Sequence, residues 1–238
     1  QDLFATLKPP LFRSETGGLY LLGTDQLGRA LFARLLYGAR VSLLIGVAAV
    51  LIAAALGTTL GLLAGYYGGF IDALVTGLTE TVLALPFIVL AVAVIGALGP
   101  SLGVVVLTLG LTGWVSFARL VRARVLELRE EEFVLAAASL GGTGARALFK
   151  HILPNVVPLV LADATLQLGT LILAEAGLSF LGLGIQPPTP TWGGILSEGQ
   201  TFVPVAWWIP PFPGLLLLLT TLRVNFLGDA FRDALDRV

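Results

Sequence analysis

The chain has no cysteine, no methionine, one histidine, and only 12% charged residues among 238. Without Cys there is no thiol catalysis, no disulfide and no thiolate metal site. A lone His151 cannot gather the several donors that a metal needs, so it reads as an interface or capping residue. No G-x-x-x-x-G-K-[ST] segment is present to cradle a nucleotide phosphate. Soluble domains carry about 25% charged residues. Half that share, with 56% hydrophobic residues and a mean hydropathy of +0.93, excludes disorder, a nucleic-acid-binding domain and a disulfide-stapled secreted fold. The class left is an all-α polytopic membrane protein. A start at Gln1 with no Met also leads us to expect a missing upstream segment.

What is present is a series of charge-free runs. Residues 41–71 contain no Asp, Glu, Lys or Arg, enough for one crossing where about 20 apolar residues suffice. Residues 81–118 are also uncharged, and one helix of that length would be close to twice the roughly 30 Å bilayer core. We read two helices there, 81–98 and 101–118, broken at Gly96, Gly99 and Pro100. A fourth span covers 155–180, apolar apart from Asp163, Gln167 and Glu175. After a Gly- and Pro-rich loop, Gly182 to Pro204, a fifth runs from Trp207 to Leu222, with Trp207 and Trp208 at the depth of an interfacial aromatic belt.

Six basic residues (Arg119, Arg122, Arg124, Arg129, Arg146 and Lys150) lie in 119–153, and Arg223, Arg232 and Arg237 follow the last span. Loops 96–101 and 178–206 carry none. The positive-inside rule places the basic loop and the C-terminus in the cytoplasm. Five spans then leave residues 1–40 outside, although that segment is itself basic.

Ala49, Ala53, Gly57, Gly61 and Gly65 recur every fourth residue and line one helix face, the pattern of close backbone packing in lipid. The block Arg119 to Asn155 reads as a helix, a turn at Gly141 and Gly142, and a second short helix to Pro154. The other use of such a block is a solvated amphipathic hairpin. Its sequence resembles the "EAA" loop of permease subunits in bacterial ABC importers: a Glu-Ala-Ala triplet, three residues, a Gly, then Leu-Pro. Here Ala136, Ala137, Gly141, Leu153 and Pro154 match, while Leu135 stands for the Glu and His151 for the usual Ile. Glu131 and Glu132 lie one turn earlier.

Three further segments are similar to the dipeptide, oligopeptide and nickel permeases, in their C-type subunit. They are GTDQLGRALFARLLYGARVSL (Gly23 to Leu43), AEAGLSFLGLGIQPPTPTWGGIL (Ala174 to Leu196) and NFLGDAFRDALD (Asn225 to Asp236). The resemblance implies an inner-membrane permease subunit that pairs with a second permease as a heterodimer. Further implied partners are two cytoplasmic ATPases on the loop and a periplasmic solute-binding protein. It implies no cofactor in this chain, ATP being used by the partners, no nucleic acid, and one helix ahead of Gly23, which makes six spans. The expected organisation is an extracytoplasmic segment 1–40, a permease domain 41–226 with coupling loop 119–153, and a cytoplasmic tail 227–238. Glu132, Leu135, Ala136, Ala137, Gly141, His151, Leu153 and Pro154 are the expected ATPase-docking residues. Peptides are the expected cargo, with nickel or another small solute as the alternative.

A carboxylate at mid-membrane costs about 2.5 to 3.5 kcal/mol on insertion scales, so Asp163 faces either a path or buried polar partners, with Gln167 on the same face. Glu175 is a candidate for gating or for contact with the following loop. A rival reading, an ion-coupled transporter using Asp163 and Glu175 as proton carriers, needs an inverted repeat and broken helices, and the sequence shows neither clearly. An intramembrane enzyme would need a convergent catalytic set that the sequence lacks.

Overall fold

The computed structural model describes residues 5–14, 18–139 and 143–235. A short antiparallel hairpin, β1 (Phe12–Arg13) and β2 (Leu19–Tyr20), precedes nine α-helices among the described residues. These are α1 (Leu31–Tyr67), α2 (Gly69–Ala84), α3 (Phe87–Leu98), α4 (Leu102–Leu128), α5 (Glu132–Ser139), α6 (Gly144–Arg146), α7 (Leu153–Phe180), α8 (Trp192–Gln200) and α9 (Pro211–Leu235). A π-helical stretch, Ala147–Ile152, joins α6 to α7. Among the described residues four helices are long and apolar enough to cross a membrane: α1, α4, Gly144–Phe180 and Pro211–Ala234. The pair α2 and α3 makes a fifth crossing if counted as one span. The protein is a mostly α-helical, multi-pass membrane protein.

Several boundaries differ from those read in the sequence. The first helix begins at Leu31, ten residues before the charge-free run, because Arg34 is buried among carboxylates. The expected single helix over 81–98 is broken. Pro86 forces Leu85 out of the helical region (φ −99°, ψ 130°), and α2 and α3 meet at 90°. A broken helix is therefore present. Gly99, with φ +83°, does end α3 as expected. The second helix of the basic loop does not stop at Pro154: α6, the π-helical stretch and α7 run on as one helix, Gly144–Phe180. Pro154 has no N–H for the carbonyl of Lys150, but the Leu153 N–H donates to the Leu148 carbonyl in the wider π register and the Asn155 side-chain amide donates to the His151 carbonyl at 2.6 Å, so the helix is widened there rather than cut. The loop Gly182 to Pro204 contains α8. The last helix starts at Pro211, leaving both Trp residues ahead of it; Trp208 is buried and only Trp207 is exposed.

The chain forms two compact units. One comprises Gln1–Val47, Ala91–Val106 and Gly169–Arg223; the other comprises Ala48–Leu90, Leu107–Leu168 and Val224–Val238. In the second, α1 lies directly on α4. A Cβ at Gly61 would sit 2.6 Å from the Ala118 carbonyl oxygen, and one at Gly65 would sit 2.8 Å from Val125 Cβ. A Cβ at Gly57 would strike Trp114 and Phe117. The four-residue spacing of small side chains is thus a packing face. Leu62, Val121, Val125, Leu128, Val134, Leu148, Ile152 and Val156 form the core beside it.

Candidate coupling loop and membrane carboxylates

The polar block opens as α4 ends. Arg129 turns back and donates to the Gly65 carbonyl at 3.2 Å, fixing the end of α4 against α1. α5 then follows, with Glu132 as its first residue. Val134 is buried in the core shared with Leu148 and Ile152, so α5 is anchored by one side while Glu132, Leu135 and Ala136 remain exposed. Ala137 lies in α5, and Gly141 lies outside the described residues. His151 is half-buried within the π-helical stretch, not at a helix end, so the capping role expected for it does not hold. Leu153 packs on the same core, and Pro154 is exposed at the start of α7.

The structure adds two residues that the sequence reading left out. Phe133 and Phe149, the loop's two aromatic residues, are 43% and 68% exposed. With Leu135, 54% exposed, they present apolar surface on a knob whose base is packed. Exposed large apolar groups on an anchored element are the mark of a protein contact. The signal for them was available, since two Phe residues in an otherwise charged and small-residue block have no core role to fill.

Glu175 is fully buried on α7. Its Oε2 accepts from Ser42 Oγ of α1 at 3.1 Å and its Oε1 from Ser179 Oγ at 2.7 Å. Ser42 Oγ in turn accepts the Trp192 backbone N–H at 3.2 Å, and Thr191 Oγ1 caps α8 by accepting from Gly194 N at 2.9 Å. The Trp192 indole donates to the Leu35 carbonyl at 3.0 Å. The carboxylate is therefore the centre of a hydroxyl network that joins α1, α7 and the start of α8. Gly193 permits this approach, because a Cβ there would lie 2.5 Å from Ala176 Cα.

A second network holds the N-terminal segment in the same unit. Asp25, fully buried, receives Arg29 at 2.6 Å and Arg34 at 3.0 Å. Arg34 also pairs with Glu198 of α8 at 2.8 Å, and Gln26 donates to that carboxylate at 3.1 Å. The family-like segment from Gly23 thus supplies a buried ionic clamp, which motif spacing alone did not reveal.

Asp163 and Gln167 are both half-buried on α7. Asp163 Oδ2 is enclosed without a hydrogen-bond partner and shares a cavity of about 30 Å³ with Arg232 of α9. Among the described residues no group of three or more His, Cys, Asp or Glu is arranged to hold a metal.

The family described as "Binding-protein-dependent transport system inner membrane component" matches residues 57–238. The chain is 48% identical over 214 residues to a dipeptide transport system permease protein, DppC, of Alkalihalophilus pseudofirmus, covering 90% of this chain and 70% of that protein. It is 42% identical to a di/tripeptide transport system permease of Pseudomonas aeruginosa, covering 97% and 76%. Against a glutathione transport system permease, GsiD, of Escherichia coli it is 45% identical, covering 90% and 71%. Among solved structures, the MetNI methionine ABC transporter in an inward-facing conformation has a TM-score of 0.67 at 22% identity, covering 86% of this chain and 97% of that one. That likeness is one of fold. With four apolar crossings, or five counting the bent pair as one, a core-anchored loop and these relatives, the chain belongs to the multi-pass inner-membrane components of binding-protein-dependent transport systems, as an ABC importer permease of the peptide family.

Proposed function

We propose that this chain is one of two permease subunits in an ATP-driven importer that passes di- or oligopeptides handed over by a periplasmic binding protein. Each of the three relatives described above is named for a dipeptide, di/tripeptide or glutathione system, which supports peptides over nickel. The observation that carries the mechanical part is the anchored knob of α5 and the π-helical stretch, with Phe133, Leu135 and Phe149 outward. The excess of Lys and Arg in 119–153 faces it to the cytoplasm, where ATPase subunits dock. ATP hydrolysis belongs to those partners. Closure of the ATPase pair favours one permease conformation through its differential contact with the knob, a population shift rather than a chemical step in this chain. The polar residues of α7 serve the path differently: Asp163 and Gln167 border it, and Glu175 holds α8 in place.

The test is uptake of dialanine into proteoliposomes containing the assembled importer and its binding protein. ATP-dependent uptake is expected, and the combined change Leu135→Asp and Phe149→Asp should reduce co-purification of the ATPases at least tenfold. Uptake of nickel without dialanine would move the reading to the metal-ion branch of these permeases. Full ATPase retention in the double variant would remove the knob as the docking site.

A further inference from the structure

Between α2 and α4 lies a cavity of about 430 Å³ whose polar lining is Thr76, Thr79 and Glu80 from one helix and Arg119 and Arg122 from the other. Its size falls within the range of small-molecule sites. Arg122 is already committed: both its Nε and its Nη2 donate to the Asp72 carboxylate, the latter at 2.7 Å. Thr79 is turned away, its hydroxyl donating to the Thr76 carbonyl at 2.7 Å. Glu80 and Arg119 remain, and neither enters an ion pair among the described residues.

The placement of these two charges follows from the chain itself. Glu80 and Arg119 bracket the charge-free run 81–118. The backbone reverses at Gly99, and Val75 of α2 packs with Trp114, Val115 and Ala118 of α4, so opposite charges from the two ends of the run reach one cavity. They stay more than 4 Å apart rather than neutralising each other. A pair of opposite, separated, unmatched charges has a specific chemical preference. A simple anion attracted by Arg119 is repelled by Glu80, and a simple cation meets the reverse. One carboxylate is too few for a metal ion. A molecule carrying an ammonium at one end and a carboxylate at the other satisfies both, and an extended dipeptide separates its termini by about 7 Å. Arg119 can take a carboxylate bidentately, and the half-apolar wall, including Leu83, accepts side chains of varied size.

We propose that this cavity is a binding site for the zwitterionic main chain of a short peptide, with Glu80 receiving the α-ammonium and Arg119 the α-carboxylate. It rests on the reading of the chain as a peptide importer subunit. Because the basic end of α4 faces the cytoplasm in that reading, the cavity is the last station before release. Recognition by the two termini alone gives selection for free peptides with tolerance of sequence, and Arg122 is kept out of the ligand's reach by Asp72.

The experiment measures equilibrium binding of radiolabelled dialanine to the assembled importer without its binding protein, in competition with N-acetyl-dialanine and dialanine amide. Dialanine is expected to compete about tenfold better than either blocked form. In Glu80→Gln complexes the penalty for N-acetylation should vanish while that for amidation stays, and Arg119→Gln should do the opposite. Equal competition by all three peptides in the native complex overturns the proposal, as do variants that keep both native preferences. Should a variant fail to assemble, the comparison of blocked peptides on the native complex still decides. Uptake separates the two readings: peptide transport without any preference for free termini sinks this site alone, whereas absence of peptide transport sinks the importer reading with it.

Discussion

The two compact units differ in the means that dominate where their helices join. In the unit of Ala48–Leu90, Leu107–Leu168 and Val224–Val238, side chains are removed: Gly57, Gly61 and Gly65 bring the backbone of α1 onto α4, and Gly110 does the same against Ile52. In the unit of Gln1–Val47, Ala91–Val106 and Gly169–Arg223, polar side chains are joined instead. Asp25, Arg34 and Glu198 form one cluster, and Glu175, Ser42, Ser179 and Thr191 form another. Glycine contacts depend on shape and tolerate no added atom. Ionic and hydroxyl clusters depend on complete pairing and tolerate no missing one.

Four substitutions probe that contrast. Arg34→Met should cost the most, about 3 kcal/mol in thermal unfolding of the detergent-solubilised complex, because buried Asp25 loses one of two cations and Glu198 loses its nearest. A loss below about 1 kcal/mol would show that apolar packing, not the clamp, holds this unit. Gly61→Val should follow at about 2 kcal/mol through overpacking against the Ala118 carbonyl. If it were neutral, the close approach of α1 and α4 would not be a stabilising contact. Glu175→Gln should cost about 1 kcal/mol, since the amide keeps the shape but only one acceptor oxygen. Uptake measured on the same variant separates positioning from path lining: an unchanged rate leaves Glu175 as a fastener of α8. Asp72→Asn should cost least, about 0.5 kcal/mol, because the Arg122 pair is partly solvated, and the difference should shrink in high salt.

The number of crossings, the reversal at Gly99 and the packing role of the small-residue face were legible because each rests on a strong, local rule. Charge exclusion from lipid, a left-handed backbone at Gly and close approach without Cβ all leave residue-level marks. The break at Leu85 was also written in the sequence, as Pro86, but the apolar run around it masked the signal. α8 was hidden for a different reason. TWGGILSEGQ has two glycines among its first three helical residues, and its stability comes from the Thr191 cap and the Ser42 and Glu175 network rather than from propensity. Ser42 lies 150 residues away from Trp192 in the chain, a partnership that no periodicity records. The same holds for Arg34, whose position inside a helix ahead of the apolar run makes sense only once Asp25 and Glu198 surround it.

The right-angle break at Pro86 also bears on how the chain is made. α2 has 16 residues and α3 has 12, or about 24 Å and about 18 Å of helix, each short of a bilayer core near 30 Å. Neither can leave the insertion machinery as an independent span, so this stretch must be held by α1, already in place, or wait for α4. Membrane integration of the middle of the protein is on this account a collective event, and a truncation ending between Leu98 and Leu102 should yield a chain whose third segment is not stably embedded.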